Sequence, residues 1–263
     1  MIFISTILGA NRIHIAFQGF EVDRIAKPII KFKGDKAYIF IFRDEKTEQF
    51  IKQHNLIKQE LEKINIETIS INAEIHDYNN VIQKISQIIK DEREKNASCE
   101  IFINISVGTK ITAIAGMDAC RIWNCTPYYV LPEYYIPEDD GKKQSLSKGI
   151  KDIFSPPQFE IVKPEANLIQ ALKILASSKK DWMYKKDFKK KLQEKKILKI
   201  LKTYNDPRDP KKKSAEYMAL NQQYIIPLRD KWKYIEQSND KRNKKITITK
   251  MGYEILEIFK YLD

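Results

Sequence analysis

Between residues 12 and 130, short β-rich runs alternate with helical ones, and this alternation narrows the fold more than any other feature of the chain. The runs RIHIAF (12–17), KAYIFIF (36–42), IETISI (66–71), EIFINI (100–105) and PYYVLP (127–132) are dense in β-branched and aromatic residues. Helical stretches at 21–30, 45–63, 78–95 and 109–123 separate them. In the third, Val81, Ile82, Ile85, Ile88 and Ile89 repeat at the i, i+3, i+4, i+7 spacing of a single apolar face. Nearly continuous apolar strands joined through helices make a parallel sheet covered on both sides. A Rossmann-like three-layer α/β domain is expected over 1–155.

In such sheets ligands sit beyond the C-terminal ends of the strands. Gln18, Gly19 and Phe20 follow the first run, ahead of Glu21, Asp23 and Arg24. Arg43 follows the second run, Asn72 the third, and Asn104-Ile105-Ser106-Val107-Gly108-Thr109-Lys110 the fourth. The last loop carries the sharpest signal. Ser106 and Thr109 offer hydroxyls, and Gly108 lets a ligand approach the backbone. Thr109 suits a helix N-cap, with free N–H groups behind it and the Lys110 amine beside them. Together these describe a phosphate cradle; the plainer reading is a capped strand-to-helix turn with an exposed lysine. Neither G-x-x-x-x-G-K-[ST] nor G-x-G-x-x-G is present, so it is neither a Walker loop nor a dinucleotide fingerprint.

The charge divides the chain. Residues 1–160 hold 21 Lys and Arg against 22 Asp and Glu, whereas 161–263 hold 26 against 13. The whole net charge of +12 therefore belongs to the last hundred residues, which points to a polyanion partner for that part alone. Pro156, Pro157 and Pro164 mark a linker over 156–164. From 165 to 263 a basic domain is expected. EANLIQALKILASS reads as a helix, a second helix runs from about Tyr184 to Lys199, and NDPRDPKKK (205–213) is a basic turn. SAEYMALNQQYIIPLRDKW is a third helical stretch that Pro227 would kink or split. KYIEQ and KITITK form a two-stranded hairpin around SNDKRNK, and MGYEILEIFKYL closes as a helix.

Helices, a basic-tipped hairpin and a last helix follow the winged-helix order. Lys241, Arg242, Lys244 and Lys245 would meet phosphates from the wing. Lys211, Lys212 and Lys213 add basic contacts, and Ser214, Tyr217, Asn221, Gln222 and Gln223 would lie on the recognition helix. Asn and Gln can read adenine in the major groove. The plainer reading of the lysine runs is a solvated face.

Two segments, RIHIAFQGFEVDRIAKPII and NISVGTKITAIA, resemble the CRISPR-associated Rossmann fold (CARF) family, and more narrowly its archaeal members with a C-terminal winged helix. KYIEQSNDKRNKKITITKMGYEIL resembles the wing and following helix of MarR-like regulators. The first resemblance covers roughly residues 11–135, with Val107 standing where many relatives have a second Gly. It implies a homodimer that binds a cyclic oligoadenylate second messenger, most often cyclic tetra-adenylate, across its two-fold interface. By that resemblance Ser106–Lys110 hold ligand phosphate and ribose, and Gln18–Phe20 line the pocket.

The resulting expectation is a cyclic oligoadenylate-responsive transcriptional regulator of CRISPR–Cas defence that binds double-stranded DNA. One alternative is a metal-independent ring nuclease, in which the ribose 2′-OH attacks its own phosphodiester beside Lys110 while Ser106 or Thr109 positions the phosphate. The other is a constitutive dimeric DNA-binding protein. No cofactor or metal is expected: Cys99, Cys120 and Cys125 match no zinc spacing and read as buried thiols, and His14, His54 and His76 are scattered. A cytoplasmic location is expected. No apolar run approaches 18 residues, and MIFISTILGA reads as an N-terminal extension without a basic n-region. Tyr128, Tyr129, Tyr134 and Tyr135 after the fifth run would either pack an edge or stack on adenine.

Overall fold

The computed structural model describes residues 11–42, 48–136, 146–200, 209–240 and 243–259, without the side chain of Gln49. The expected N-terminal extension, Arg43, Lys241 and Arg242 lie outside the described residues. The chain divides into two compact units, Met1–Ile161 and Val162–Asp263.

The first unit runs β1 (Arg12–Phe17), α1 (Val22–Lys31), β2 (Lys36–Phe42), α2 (Glu48–Glu62), β3 (Glu67–Ala73), α3 (Tyr78–Lys95), β4 (Glu100–Asn104), α4 (Lys110–Trp123) and β5 (Thr126–Leu131). Short strands β6 (Tyr134–Tyr135), β7 (Ser147–Lys148) and β8 (Asp152–Phe154) follow. The main sheet has the order β3-β2-β1-β4-β5-β8. Its first five strands are parallel, and β8 closes the edge antiparallel to β5. The reversal of strand order between β1 and β4 is the Rossmann arrangement and opens a crevice at their C-terminal ends.

Alternate residues of β1 serve the two faces. Ala16 packs with Ile25, Ala26, Ile29, Ile57 and Leu61 of α1 and α2. Phe17 lies on the other side, close to Gly116 of α4. A buried carboxylate fastens α3 over the sheet: Glu92 Oε1 accepts from Tyr38 Oη at 2.7 Å, Lys95 Nζ at 2.8 Å and Lys36 Nζ at 3.4 Å. Charged partners on several sides make that burial tolerable.

The second unit contains α5 (Ala166–Ala176), β9 (Trp182–Tyr184), α6 (Lys185–Glu194), α7 (Pro210–Leu220), β10 (Ile235–Gln237), β11 (Lys245–Ile248) and α8 (Lys250–Phe259). The expected two-stranded hairpin is a three-stranded sheet, β10-β11-β9, because Trp182–Tyr184 pairs antiparallel with β11. Accordingly the second helix starts at Lys185 and ends at Glu194, short of Lys199. Lys211, Lys212 and Lys213, expected in a turn, lie in the first turns of α7, which Asp209 caps by accepting the Lys211 N–H at 2.8 Å. Pro227 does not split the helical stretch. Asn221–Ile225 and Pro227–Lys231 continue α7 as π-helix. A wider turn with i→i+5 bonds passes the position where proline has no N–H to give.

Candidate functional site

The loops after β1, β3 and β4 meet at the C-terminal end of the sheet, and hydrogen bonds fix the last of them. Asn104 donates from Nδ2 to the Arg24 carbonyl at 2.8 Å and accepts the Ser106 N–H at 2.9 Å. Ser106 Oγ accepts the Val130 N–H at 2.6 Å, while the Val130 carbonyl accepts Arg24 Nε at 3.0 Å. This closed ring ties β4 to α1 and β5. Thr109 then caps α4. Its Oγ1 accepts the Thr112 N–H at 3.1 Å and donates to the Ile75 carbonyl at 3.0 Å, and Thr112 Oγ1 accepts the Thr109 N–H at 2.9 Å.

Gly108 has φ +100°, and a Cβ there would lie 2.6 Å from Thr112 Oγ1 and 2.7 Å from Phe17 Cβ. Its backbone is exposed, as is Lys110 beyond it. The first-turn N–H groups of Lys110 and Ile111 have no carbonyl within α4 to receive them. Exposed glycine backbone, a helix N-terminus and a free-standing amine converge on one spot, and that combination suits an anion.

In the second unit, Lys211, Ser214, Met218, Gln222 and Ile226 make an exposed stripe at three- and four-residue steps along α7 and its π-helical continuation. Tyr217 is half-buried, with Lys189 Nζ 4.7 Å from its ring centre. Asn221 Oδ1 accepts Lys185 Nζ. Gln223 donates to the Lys199 carbonyl at 2.6 Å and accepts the Lys199 N–H at 3.2 Å. Bidentate adenine reading needs an acceptor and a donor on one amide. Asn221 has its acceptor engaged and Gln223 has both groups engaged, so neither is set to read a base, and Gln222 remains exposed. Lys244 and Lys245 are half-buried at the root of the hairpin.

Residues 12–135 match the family described as HFX_2341_N-like, N-terminal, and residues 167–260 match the DUF6293 C-terminal winged helix domain. The chain thus joins an HFX_2341_N-like domain built on a Rossmann sheet to a region that matches the DUF6293 winged helix. The uncharacterized protein MJ1513 of Methanocaldococcus jannaschii is 29% identical over 187 residues, which cover 62% of this chain and 55% of that protein. The chain thus spans little more than half the length of that relative. Can2 from Sulfobacillus thermosulfidooxidans, solved with cyclic tetra-adenylate, is similar over 95% of this chain and 64% of its own, at 12% identity and a TM-score of 0.39. Csm6 from Enterococcus italicus, bound to cyclic hexa-2′-fluoro-hexa-dAMP, is similar over 96% of this chain and 77% of its own, at 14% identity and a TM-score of 0.43.

Several residues expected at the ligand in the first domain have other work. Gln18 is buried and donates from Nε2 to the Phe50 carbonyl at 2.7 Å, while Phe20 meets the Phe50 ring edge to face at 4.6 Å. Both hold the β1 turn against α2. Asn104 is buried within the hydrogen-bond ring, and Val107 sits in the core with Ala16, Ile25 and Ile57. The hydroxyls of Ser106 and Thr109 serve the loop itself. Asn72 is exposed on β3. Tyr128 is 1% exposed and pairs with His14, so it packs the core and cannot stack on a ligand.

Arg24 is buried in the same ring of contacts. It is 5% exposed, its guanidinium lies 5.4 Å from the Tyr129 ring centre, Nη1 is 3.5 Å from Glu21 Oε1, and Nη2 is buried without a hydrogen-bond partner. A signal existed: Arg24 shares the apolar stripe of α1 with Ile25 and Pro28, where a charge is out of place. Nearby, the Gly149 N–H donates to Asp23 Oδ2 at 2.9 Å. Burial alone would raise the Asp23 pKa, but the hydrogen bonds from Lys27 and Gly149 and the charges of Lys27 and Lys148 outweigh it and hold the carboxyl below its ordinary value.

Burial raises the thiol of Cys120 well above the ordinary range and that of Cys125 to about 12. Among the described residues no group of three His, Cys, Asp or Glu could hold a metal, and no helix is long and apolar enough to cross a membrane.

Proposed function

We propose that this chain is a cyclic oligoadenylate-responsive, DNA-binding transcriptional regulator of CRISPR–Cas defence that works as a homodimer. The observation that carries the reading is the exposed Gly108 backbone and Lys110 amine at the N-terminus of α4, at the C-terminal end of a Rossmann sheet. The family resemblance of that loop supports a cyclic oligoadenylate, most often cyclic tetra-adenylate, as the anion. A ring with two-fold symmetry suits an isologous pair of cradles. Ile114, 53% exposed one turn beyond Lys110, offers apolar surface for such a contact. The hydroxyls of Ser106 and Thr109 are engaged within the loop, which favours binding over ring cleavage.

The winged helix supports duplex DNA as the second partner. Lys211, Ser214 and Gln222 supply polar contacts along the exposed stripe, and Met218 and Ile226 supply apolar surface for thymine methyl groups. For the messenger to regulate, it must bind the two dimer states with different affinity.

Calorimetric titration of the full chain with cyclic tetra-adenylate tests the reading, with the ligand recovered for mass spectrometry. One ring per dimer, recovered intact, is expected. Lys110→Ala should weaken binding at least about tenfold, because a charge-assisted hydrogen bond is removed from each of the two cradles. A linear product would move the chain to the ring nucleases. Absence of binding to both the tetramer and the hexamer would leave a constitutive DNA-binding protein and sink the messenger reading.

A further inference from the structure

The root of the wing gathers cations from several segments, and we infer that it is a preformed phosphate anchor for duplex DNA, centred on Lys185 and lying outside the recognition helix. The inference rests on the DNA-binding reading of the winged helix and adds to it a contact surface that begins on β9 and α6.

Lys185 opens α6 against the wing. Its N–H donates to the Lys244 carbonyl at 2.8 Å, and its Nζ donates to Asn221 Oδ1. The side chain therefore links the wing to the end of the recognition helix and is half-buried between them. Burial, followed by the charges of Lys244 and Arg229, lowers its pKa from the ordinary lysine value. The backbone bond thus holds Lys185 and Lys244 beside each other without a carboxylate between them, whereas Arg229 is paired with Asp230 at 2.7 Å, and an added anion would relieve the repulsion of the two lysines.

The outer face of the wing sheet continues the cluster. Trp182 and Tyr184 stand two residues apart on β9 with rings edge to face at 4.8 Å. Lys180 Nζ and Lys245 Nζ lie 4.9 Å and 4.5 Å from the Trp182 ring centre, and Lys186 Nζ lies 5.6 Å from that of Tyr184. An aromatic face holds an ammonium in place without neutralising it. By contrast Lys190 and Lys250, on exposed helix faces, pair with Glu194 and Glu254. Among the described residues Lys180, Lys185, Lys244 and Lys245 form no ion pair with a carboxylate. Lysines already positioned give up less side-chain freedom on meeting a phosphate. Ammonium groups on a sheet face contact backbone and carry no base code, so the anchor should act on every sequence alike.

The test is fluorescence-anisotropy titration of the full chain with mixed-sequence duplexes across a salt series from about 50 to about 200 mM. In the homodimer, Lys185→Met/Lys245→Met should flatten the slope of log affinity against log salt by about 3.6, or about 0.9 for each of the four phosphates no longer neutralised. Near 0.1 M salt the same variant should bind about tenfold or more weakly, equally on all duplexes. The charge-matched variant Lys190→Met/Lys250→Met should leave the slope nearly unchanged. Lys180→Met, at an exposed position, keeps the test valid where the half-buried Lys185 variant fails to fold; lost from both protomers, it should flatten the slope by about 1.8. Site variants that follow the charge-matched control would overturn the anchor while the DNA reading stands. A wild-type chain without salt-dependent duplex binding would overturn both. Preference for duplex RNA, with the same change of slope, would overturn DNA as the partner.

Discussion

His14→Phe is expected to remove a large acid lability from the Rossmann-like domain. His14 lies on β1, fully buried, with its ring stacked on Phe102 at 5.0 Å and Phe32 at 6.1 Å and edge-on to Tyr128 at 5.8 Å. Nδ1 is 3.3 Å from Tyr128 Oη, and Nε2 has no partner. Burial, helped by the charge of Arg12, lowers its pKa from 6.5 to about 3. The unfolded chain takes up this proton near pH 6.5 and the folded chain resists it until about pH 3. Stability is therefore fully present above pH 6.5 and falls by about 1.4 kcal/mol per unit below it, until the folded ring also protonates. Between pH 7 and pH 5 the wild type should lose about 2 kcal/mol more than His14→Phe. Hydrogen exchange at the β1 amides, with the two proteins compared at each pH, reads this difference directly. Equal losses would mean that His14 is protonated, or hydrated, inside the folded core.

The same histidine shows where the sequence was readable and where it was not. The parallel layers were legible because nearly continuous apolar runs report strands covered on both faces and a 3.6-residue apolar period reports a helix packed over them, as β1, β2 and α3 show. His14 interrupts such a run, and only its aromatic neighbours, far apart in the chain, explain it. Short strands escaped for a related reason. Asp152–Phe154 and Trp182–Tyr184 are strands because β5 and β11 pair with them, and three residues carry too little pattern to announce it.

At the candidate site, residue type was legible and residue role was not. Asn104, Ser106 and Thr109 are polar residues at a strand end, which is what a ligand site and a hydrogen-bonded loop both require. Only the contacts separate the two, and they assign all three to the loop. Gly108 and Lys110 keep the places expected of them, because backbone exposure and a helix N-terminus follow from local sequence alone. In the winged helix, Asn221 reads as a base contact until Lys185, far away in sequence, is seen to occupy its oxygen.

Gly19 and Val107 bring these levels together in a pair of substitutions with opposing sizes. An ideal Cβ on Gly19 would lie 2.3 Å from Val107 Cγ1, and Val107 is 5% exposed among α1 and α2 core residues. A valine side chain has no flexible end to swing aside. Gly19→Ala should therefore cost about 1–3 kcal/mol by overpacking. Val107→Ala alone should cost about 2 kcal/mol, for the methyl groups removed and the space left. The double variant should cost less than the sum by about 1–2 kcal/mol, since the new methyl enters the space vacated. Urea unfolding of the four proteins measures the coupling. A second readout separates packing from site geometry. Gly108 N lies 3.5 Å from the same Cβ position, so displacement of Val107 moves the Gly108 loop with it. Affinity for cyclic tetra-adenylate should fall in Gly19→Ala and recover in the double variant, although neither side chain reaches the ligand. Additive losses in both stability and affinity would show that the two loops adjust independently. The glycine of the β1 turn would then owe its place to direct approach of the ligand, and the bulk of Val107 would not require it.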